Sequence, residues 1–372
     1  MDFKFHNFLL LHFTLLYLPI LSSNPCPSYI CKPSSMIFTA DTCLYYNKEA
    51  LTSYSRECPG NKLCEYDNSG NKTCTDEELS FGQSWVGEKC KTSADCYNTF
   101  SSGCVNGICQ GIPMGQLCSS FYKCLPGNSC IKGTCTPQIE IGQKGCSSDY
   151  DCVNNGACNI TSDLPQTNTC YEVFSFEPHS PVGYCYNQQS MLCKYTTCAQ
   201  NEADGNYYCT SQPVSDPEPA SLCDVDQNKC PAKPDNFFNP PFVANQDCAC
   251  AYNSEGNAYC NLFIGDGPGM SLLSIRKKWY SSEAISKCNT GRREELNCIR
   301  DYWDEKNFNA YYYWTVYFQE YNYIIGSEKC VLNTADSRYV YAKKLYDGDG
   351  GDSGENSGMI LGISLLIGFF LH

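Results

Sequence analysis

Cysteine constrains this chain more than any other residue. The sequence holds 30 cysteines in 372 residues, and many recur at a fixed step. Cys90, Cys118 and Cys146 stand 28 residues apart, and Cys96, Cys124 and Cys152 keep the same step. Each pair is therefore Cys-x5-Cys, with a glycine just ahead of it at Gly87, Gly115 and Gly142. Two further cysteines close each unit: Cys104 with Cys109, Cys130 with Cys135, and Cys158 with Cys170. The first two closing pairs are Cys-x4-Cys around a glycine (VNGIC, IKGTC), and the third is stretched to Cys-x11-Cys. A unit of about 28 residues cannot bury enough apolar surface to fold on a core, so cross-links must substitute for one. Each closed loop removes unfolded-chain entropy worth roughly 2–4 kcal/mol. These twelve cysteines are disulfide candidates whose connectivity the spacing leaves open. Cys58 and Cys64 repeat the Cys-x5-Cys spacing upstream, which predicts a degenerate unit there, whereas the step is lost from Tyr171 onward.

Thirty is an even number, and this density of cysteine belongs to an oxidising compartment. Metallothionein-like metal binding needs clustered Cys-x-Cys pairs, and only Cys248 and Cys250 form one, so no metal or cofactor is expected. The N-terminus agrees with export. Lys4 precedes an apolar run of 14 residues, Phe8 to Leu21, and then come Ser22 and Ser23. That order predicts a secretory signal peptide over 1–23. A membrane anchor would need roughly 20 apolar residues, and Pro19 interrupts this run. At the other end, Met359 to Leu371 is 13 apolar residues followed only by His372. Before it lies the polar, small-residue stretch DGDGGDSGENSG from Asp347 to Gly358. Small residues, polar spacer and short apolar tail predict a GPI attachment signal over 347–372, with Asp349, Gly350 or Gly351 as the lipid attachment residue. The expected localisation is the outer leaflet of the plasma membrane, with the lipid as the membrane contact. Asn71 and Asn159 head N-glycosylation sequons. The formal charge of −14, with no Lys/Arg block, argues against nucleic acid as a partner.

The pattern Cys-x5-Cys…Cys-x4-Cys, with Asp before the second cysteine (SADC at 93–96, DYDC at 149–152), resembles the Dickkopf N-terminal cysteine-rich module. It is also similar to repeats in GPI-anchored surface proteins of ciliated protists. The resemblance spans 87–170, under a quarter of the chain, and rests on spacing. It implies an extracellular module and no particular ligand.

These features divide the chain into a cysteine-rich N-terminal region (24–86), the repeats (87–170), a further cysteine-rich region (171–270) and an aromatic-rich subdomain (271–346). The predicted fold is a set of small disulfide-rich modules in tandem, built of short β-hairpins and loops and stacked as a rod. A C-terminal subdomain with helix-friendly runs follows. In RREELNCIRDYW at 292–303, Leu296, Ile299 and Trp303 recur on one helical face, with Asn289 and Thr290 as caps. The block AYYYWTVYFQEYNYII at 310–325 suits a helix or a strand, and either a buried core or, through Trp314, a sugar-stacking surface.

Outside the two terminal signals the only histidine is His179, in the Pro-flanked loop EPHSPVG with no nucleophile motif near it. Triad and mixed His–Cys zinc chemistry would both have to use it. Asp224, Asp226 and Asn228 have the opening spacing of a calcium loop, but Lys229 replaces its glycine and Asp235 its final glutamate. The segment GDGPG at 265–269 lacks the lysine of a phosphate loop. The expectation is a surface coat or antigen-like protein, not an enzyme. The alternatives are an adhesion or ligand-binding module engaging other surface proteins or glycans, and, further off, an extracellular hydrolase.

Overall fold

The computed structural model describes residues 26–348, apart from 39–40, 60–61, 67–71, 76–82, 227–229 and 336. The segment expected to be a signal peptide, Asn71, Asn228 and the expected attachment residues Asp349, Gly350 and Gly351 lie outside the described residues. All 30 cysteines lie within them, and none is free.

One unit recurs six times. In the repeat that opens at Gly87, Cys90 bridges Cys104 and Cys96 bridges Cys109, first to third and second to fourth. Strands Cys104–Val105 and Ile108–Cys109 form a hairpin that sets the third cysteine opposite the fourth. The next two units pair Cys118 with Cys130, Cys124 with Cys135, Cys146 with Cys158, and Cys152 with Cys170. Their hairpins again oppose the third and fourth cysteines.

The same crossed bridges then appear where the 28-residue step is absent. Cys185 pairs with Cys198 and Cys193 with Cys209; Cys223 pairs with Cys248 and Cys230 with Cys260. Upstream, Cys43 pairs with Cys64 and Cys58 with Cys74. In all three, the third and fourth cysteines again sit opposite each other in a hairpin. The repeat is therefore not lost at Tyr171, and Cys58 and Cys64 do not open a unit but are the second and third cysteines of one. Insertions between cysteines erase the period. They leave the bridging intact: within the units the bridges span from 11 to 30 residues on the same crossed pattern.

Backbone bonds explain the glycine ahead of each unit. The Gly87 N–H donates to the Cys109 carbonyl while the Cys109 N–H donates to the Glu88 carbonyl. Gly115 and Gly142 repeat this with Cys135 and Cys170. All three glycines have positive φ, between 81° and 92°. In the 185–209 unit His179 takes the slot, at φ 66°, and its N–H donates to the Cys209 carbonyl. Histidine tolerates the left-handed region better than a β-branched residue does. A methyl group at Gly115 would meet nothing within 4 Å, whereas at Gly87 it would lie 2.6 Å from Pro126. Gly115→Ala should then cost only the left-handed penalty, about 1–2 kcal/mol, and Gly87→Ala more. Denaturant midpoints of the oxidised variants check the order.

The aspartate before the second cysteine is also structural. Asp95 accepts from the Lys91 and Thr92 N–H groups at 2.7 Å, and Asp151 from Ser147 and Ser148 at 2.8 and 3.1 Å. These bonds cap a short 3-10 turn. Lys123 stands there in the middle unit, and the Ser120 hydroxyl does the capping instead.

The C-terminal subdomain is helical: α1 (Gly267–Tyr280), α2 (Leu296–Tyr302), α3 (Glu305–Ile324), α4 (Lys329–Ala335) and α5 (Ser337–Asp347). The aromatic block is α3, packed between α1 and α5, with Tyr311, Tyr312, Tyr313 and Val316 buried. Trp279, Cys298 and Ile299 are fully enclosed in the same core. Asn289 caps the 3-10 turn Thr290–Arg292 rather than α2.

The units do not stand as a free rod. Segment 285–302 runs along three of them and donates into their backbone. Asn289 reaches the Phe121 and Cys124 carbonyls at 3.0 and 2.9 Å, and Thr290 the Tyr150 carbonyl at 3.0 Å. Arg293 reaches the Asn154 and Gly156 carbonyls at 3.0 and 3.1 Å, while Asn154 returns bonds to the Ile285 and Cys288 carbonyls. Short hairpins leave many carbonyls unpaired, and a buried carbonyl needs a donor. The helical segment supplies them. Two long bridges, Cys26–Cys250 and Cys31–Cys330, then tie the N-terminus to the last of the six units and to α4.

Candidate functional site

Three places gather polar chemistry. The first is a cleft of about 570 Å³ between the middle repeats and the segment that follows α1. Gln138, Glu140, Asn155, Ser282, Glu283 and Ser286 line it. Its wall is held by Asn154, whose amide oxygen accepts from Gln138 at 3.0 Å. Amides, hydroxyls and two exposed carboxylates equip this cleft for hydrogen bonding.

The second place surrounds His179, Ser211 and Asp235, a juxtaposition that the chain positions hide. The His179 Nε2 lies 3.1 Å from Ser211 Oγ and 3.2 and 3.3 Å from the two Asp235 oxygens. The imidazole stacks on Phe237 at 4.2 Å. A serine nucleophile needs the hydroxyl on one ring nitrogen and the carboxylate on the other. Here one nitrogen faces both. Asp235 also accepts from the Ser211 and Phe237 N–H groups at 2.6 and 3.2 Å, so the cluster fastens the 185–209 unit to the loop beyond it. Asp235 is thereby removed from the calcium-loop pattern. Asp224 and Asp226 are exposed, with the Asp226 N–H donating to Asp224 at 3.0 Å.

The third place is the joint between the Cys90 unit and α2. Glu88 is 1% exposed; one carboxylate oxygen accepts from the Trp85 N–H at 2.7 Å, and the other has no partner. Burial raises its pKa from 4.5 to about 7. The Trp85 N–H opposes the shift, the Asp301 and Glu295 carboxylates add to it, and Arg292 works against it. Asp301 accepts from the Lys89 N–H at 2.7 Å and is itself raised by burial. Arg292 lies 3.6 Å over Trp85, which stacks at 4.7 Å on Tyr97. With both faces covered, Trp85 is a cemented ring. No sequence signal marks Glu88, since burial of one glutamate depends on contacts more than two hundred residues away.

The remaining expected positions are readily placed. Trp314 is half-buried, edge-on to Tyr313 and Tyr317. Asn159 is half-buried in a hairpin strand, and its amide oxygen accepts from the Gly183 N–H at 2.7 Å. The twelve cysteines read as disulfide candidates are all bridged within their own units. Among the described residues no helix is long and apolar enough to cross a membrane. The chain is a disulfide-rich protein of a kind that oxidising, extracellular surroundings sustain. No family model, curated protein or solved structure matches it.

Proposed function

We propose that this chain is a structural coat protein of a cell exterior, antigen-like, held by a GPI lipid at Asp349 or its glycine neighbours, and not an enzyme. The observation that carries this reading is the sixfold repetition of one crossed-bridge unit, closed into a single body by Cys26–Cys250 and Cys31–Cys330. Proteases cut chains that open locally, and each local loop here is stapled twice. A durable layer is what such a construction serves best.

On this reading the oxidised protein should survive trypsin at least about a hundredfold longer than the reduced and alkylated protein, because cleavage follows the population of open forms. Phosphatidylinositol-specific phospholipase should release it from intact cells evenly over their surface. Rapid digestion of the oxidised form would sink the durability argument, and retention after phospholipase treatment would sink the anchor.

A further inference from the structure

One surface of the Cys185 unit is not explained by durability. Tyr184 and Tyr186 flank Cys185 and are 52% and 64% exposed. Residues two apart on an extended chain share a face. Both rings therefore project outward, their centroids 6.5 Å apart and their planes within 20°. Cys185, between them, is bridged to Cys198. The chain then turns at once. Tyr186 and Gln189 exchange backbone bonds of 3.2 and 2.8 Å, with Asn187 and Gln188 at φ 46° and 61° between them. Two left-handed central residues make a type I′ turn, which normally selects Asn-Gly. Gln188 is held there at a cost, and the Cys198 N–H fixes its carbonyl at 3.1 Å.

The strain extends beyond the turn. Of nine non-glycine residues with positive φ among the described residues, five lie from Phe174 to Thr196. Strain of this kind persists where the surrounding structure over-determines it, and it gathers at ligand-binding surfaces. The chemistry of the platform is equally specific. Pro181 to Ser190 (PVGYCYNQQS) contains no charged residue, in a chain of net charge −14. Val182, its only branched aliphatic side chain, is buried. What is exposed is Pro181 at the edge, two parallel phenol rings and the carboxamides of Asn187, Gln188 and Gln189.

We propose that the Tyr184–Tyr186 platform binds a neutral oligosaccharide, with sugar C–H faces stacked on the two rings and the carboxamides hydrogen-bonded to hydroxyls. Rigid aromatic rings supply contact area at little entropic cost, and neighbouring amides supply adaptable polar contacts. A charged glycan would find no counter-charge on these ten residues. A protein partner would find Pro181 as its one aliphatic contact. The proposal stands independently of the coat reading.

The test uses the intact, fully oxidised chain on an array of neutral, sialylated and sulfated oligosaccharides. Neutral structures should be retained. Tyr184→Ala and Tyr186→Ala should each weaken binding about tenfold, while the two phenylalanine variants keep it, since stacking belongs to the ring. Oxidation state is checked by the absence of free thiol. Ring protons of tyrosine should also transfer saturation to the bound sugar in the unaltered protein, a reading that needs no variant. Retention of acidic glycans in preference, no retention of neutral ones, unchanged binding by oxidised alanine variants, or no saturation transfer would each overturn the proposal.

Discussion

Replacing Cys31 and Cys330 together by serine should lower stability by roughly 4–5 kcal/mol in the loop-closure account. The bridge spans 299 residues, but Cys26–Cys250 short-circuits most of that distance. The loop it closes runs from Cys31 back to Cys26, across that bridge, and on from Cys250 to Cys330 with Cys288–Cys298 cutting ten residues from the path, about 75 residues. What the bridge holds is specific. α4 lies against strands Ser28–Cys31 and Thr52–Ser55, with Val331 fully buried and Asn333 bonded to Glu57 at 2.8 Å. Denaturant unfolding of the oxidised variant reads the effect as a lower midpoint, and an unchanged midpoint would show that packing alone holds the ends. Both cysteines must be replaced, because a single replacement leaves a thiol free to reshuffle the other bridges.

Glu88→Gln should stabilise the protein at pH 8 by up to roughly 3 kcal/mol and do little at pH 4. The sign follows from proton binding. The native state holds the Glu88 proton up to about pH 7, whereas the unfolded chain releases it near 4.5. Between those values the folded protein binds the extra proton, so this group's contribution is fully present below 4.5 and lost as pH rises through 7. Glutamine keeps an acceptor for the Trp85 N–H and removes the buried charge beside Asp301 and Glu295. Stability curves at both pH values test it. A parent whose stability does not fall between pH 5 and pH 8 would refute the account, as would a variant that tracks it at every pH.

How much of this was legible depended on how local each feature is. The three units between Gly87 and Cys170 announce themselves because their loops are almost equal in length. The units at Cys43, Cys185 and Cys223 use the same bridges and hairpins with unequal loops, so a search for period misses them. The crossed bridging survives in all three, and at the Cys185 unit a left-handed residue ahead of the first cysteine survives too, carried by His179 without being glycine. The helix of α3 was undecidable from its own residues, since an almost continuous aromatic run has no single face; packing between α1 and α5 decides it. His179 looked isolated because Ser211 and Asp235 are 32 and 56 residues away. The docking of segment 285–302 on the repeats had no local signature at all. It arises from unpaired carbonyls, which no side-chain pattern reveals.

The arrangement of bridges also dictates an order of events during synthesis. Within each of the six units the fourth cysteine precedes the first of the next, so a unit can oxidise as soon as it emerges. Cys26 and Cys31 are the exception. They emerge first, and their partners Cys250 and Cys330 emerge 224 and 299 residues later. At about 5–20 residues per second those two thiols wait on the order of 10 to 60 seconds while the first five units close around them. The last bridge to become possible, Cys31–Cys330, thus joins the beginning of the chain to its helical C-terminal region. An oxidase that acted on Cys26 and Cys31 too early would lock them to each other or to the first unit, and the six finished modules would be left as an open string.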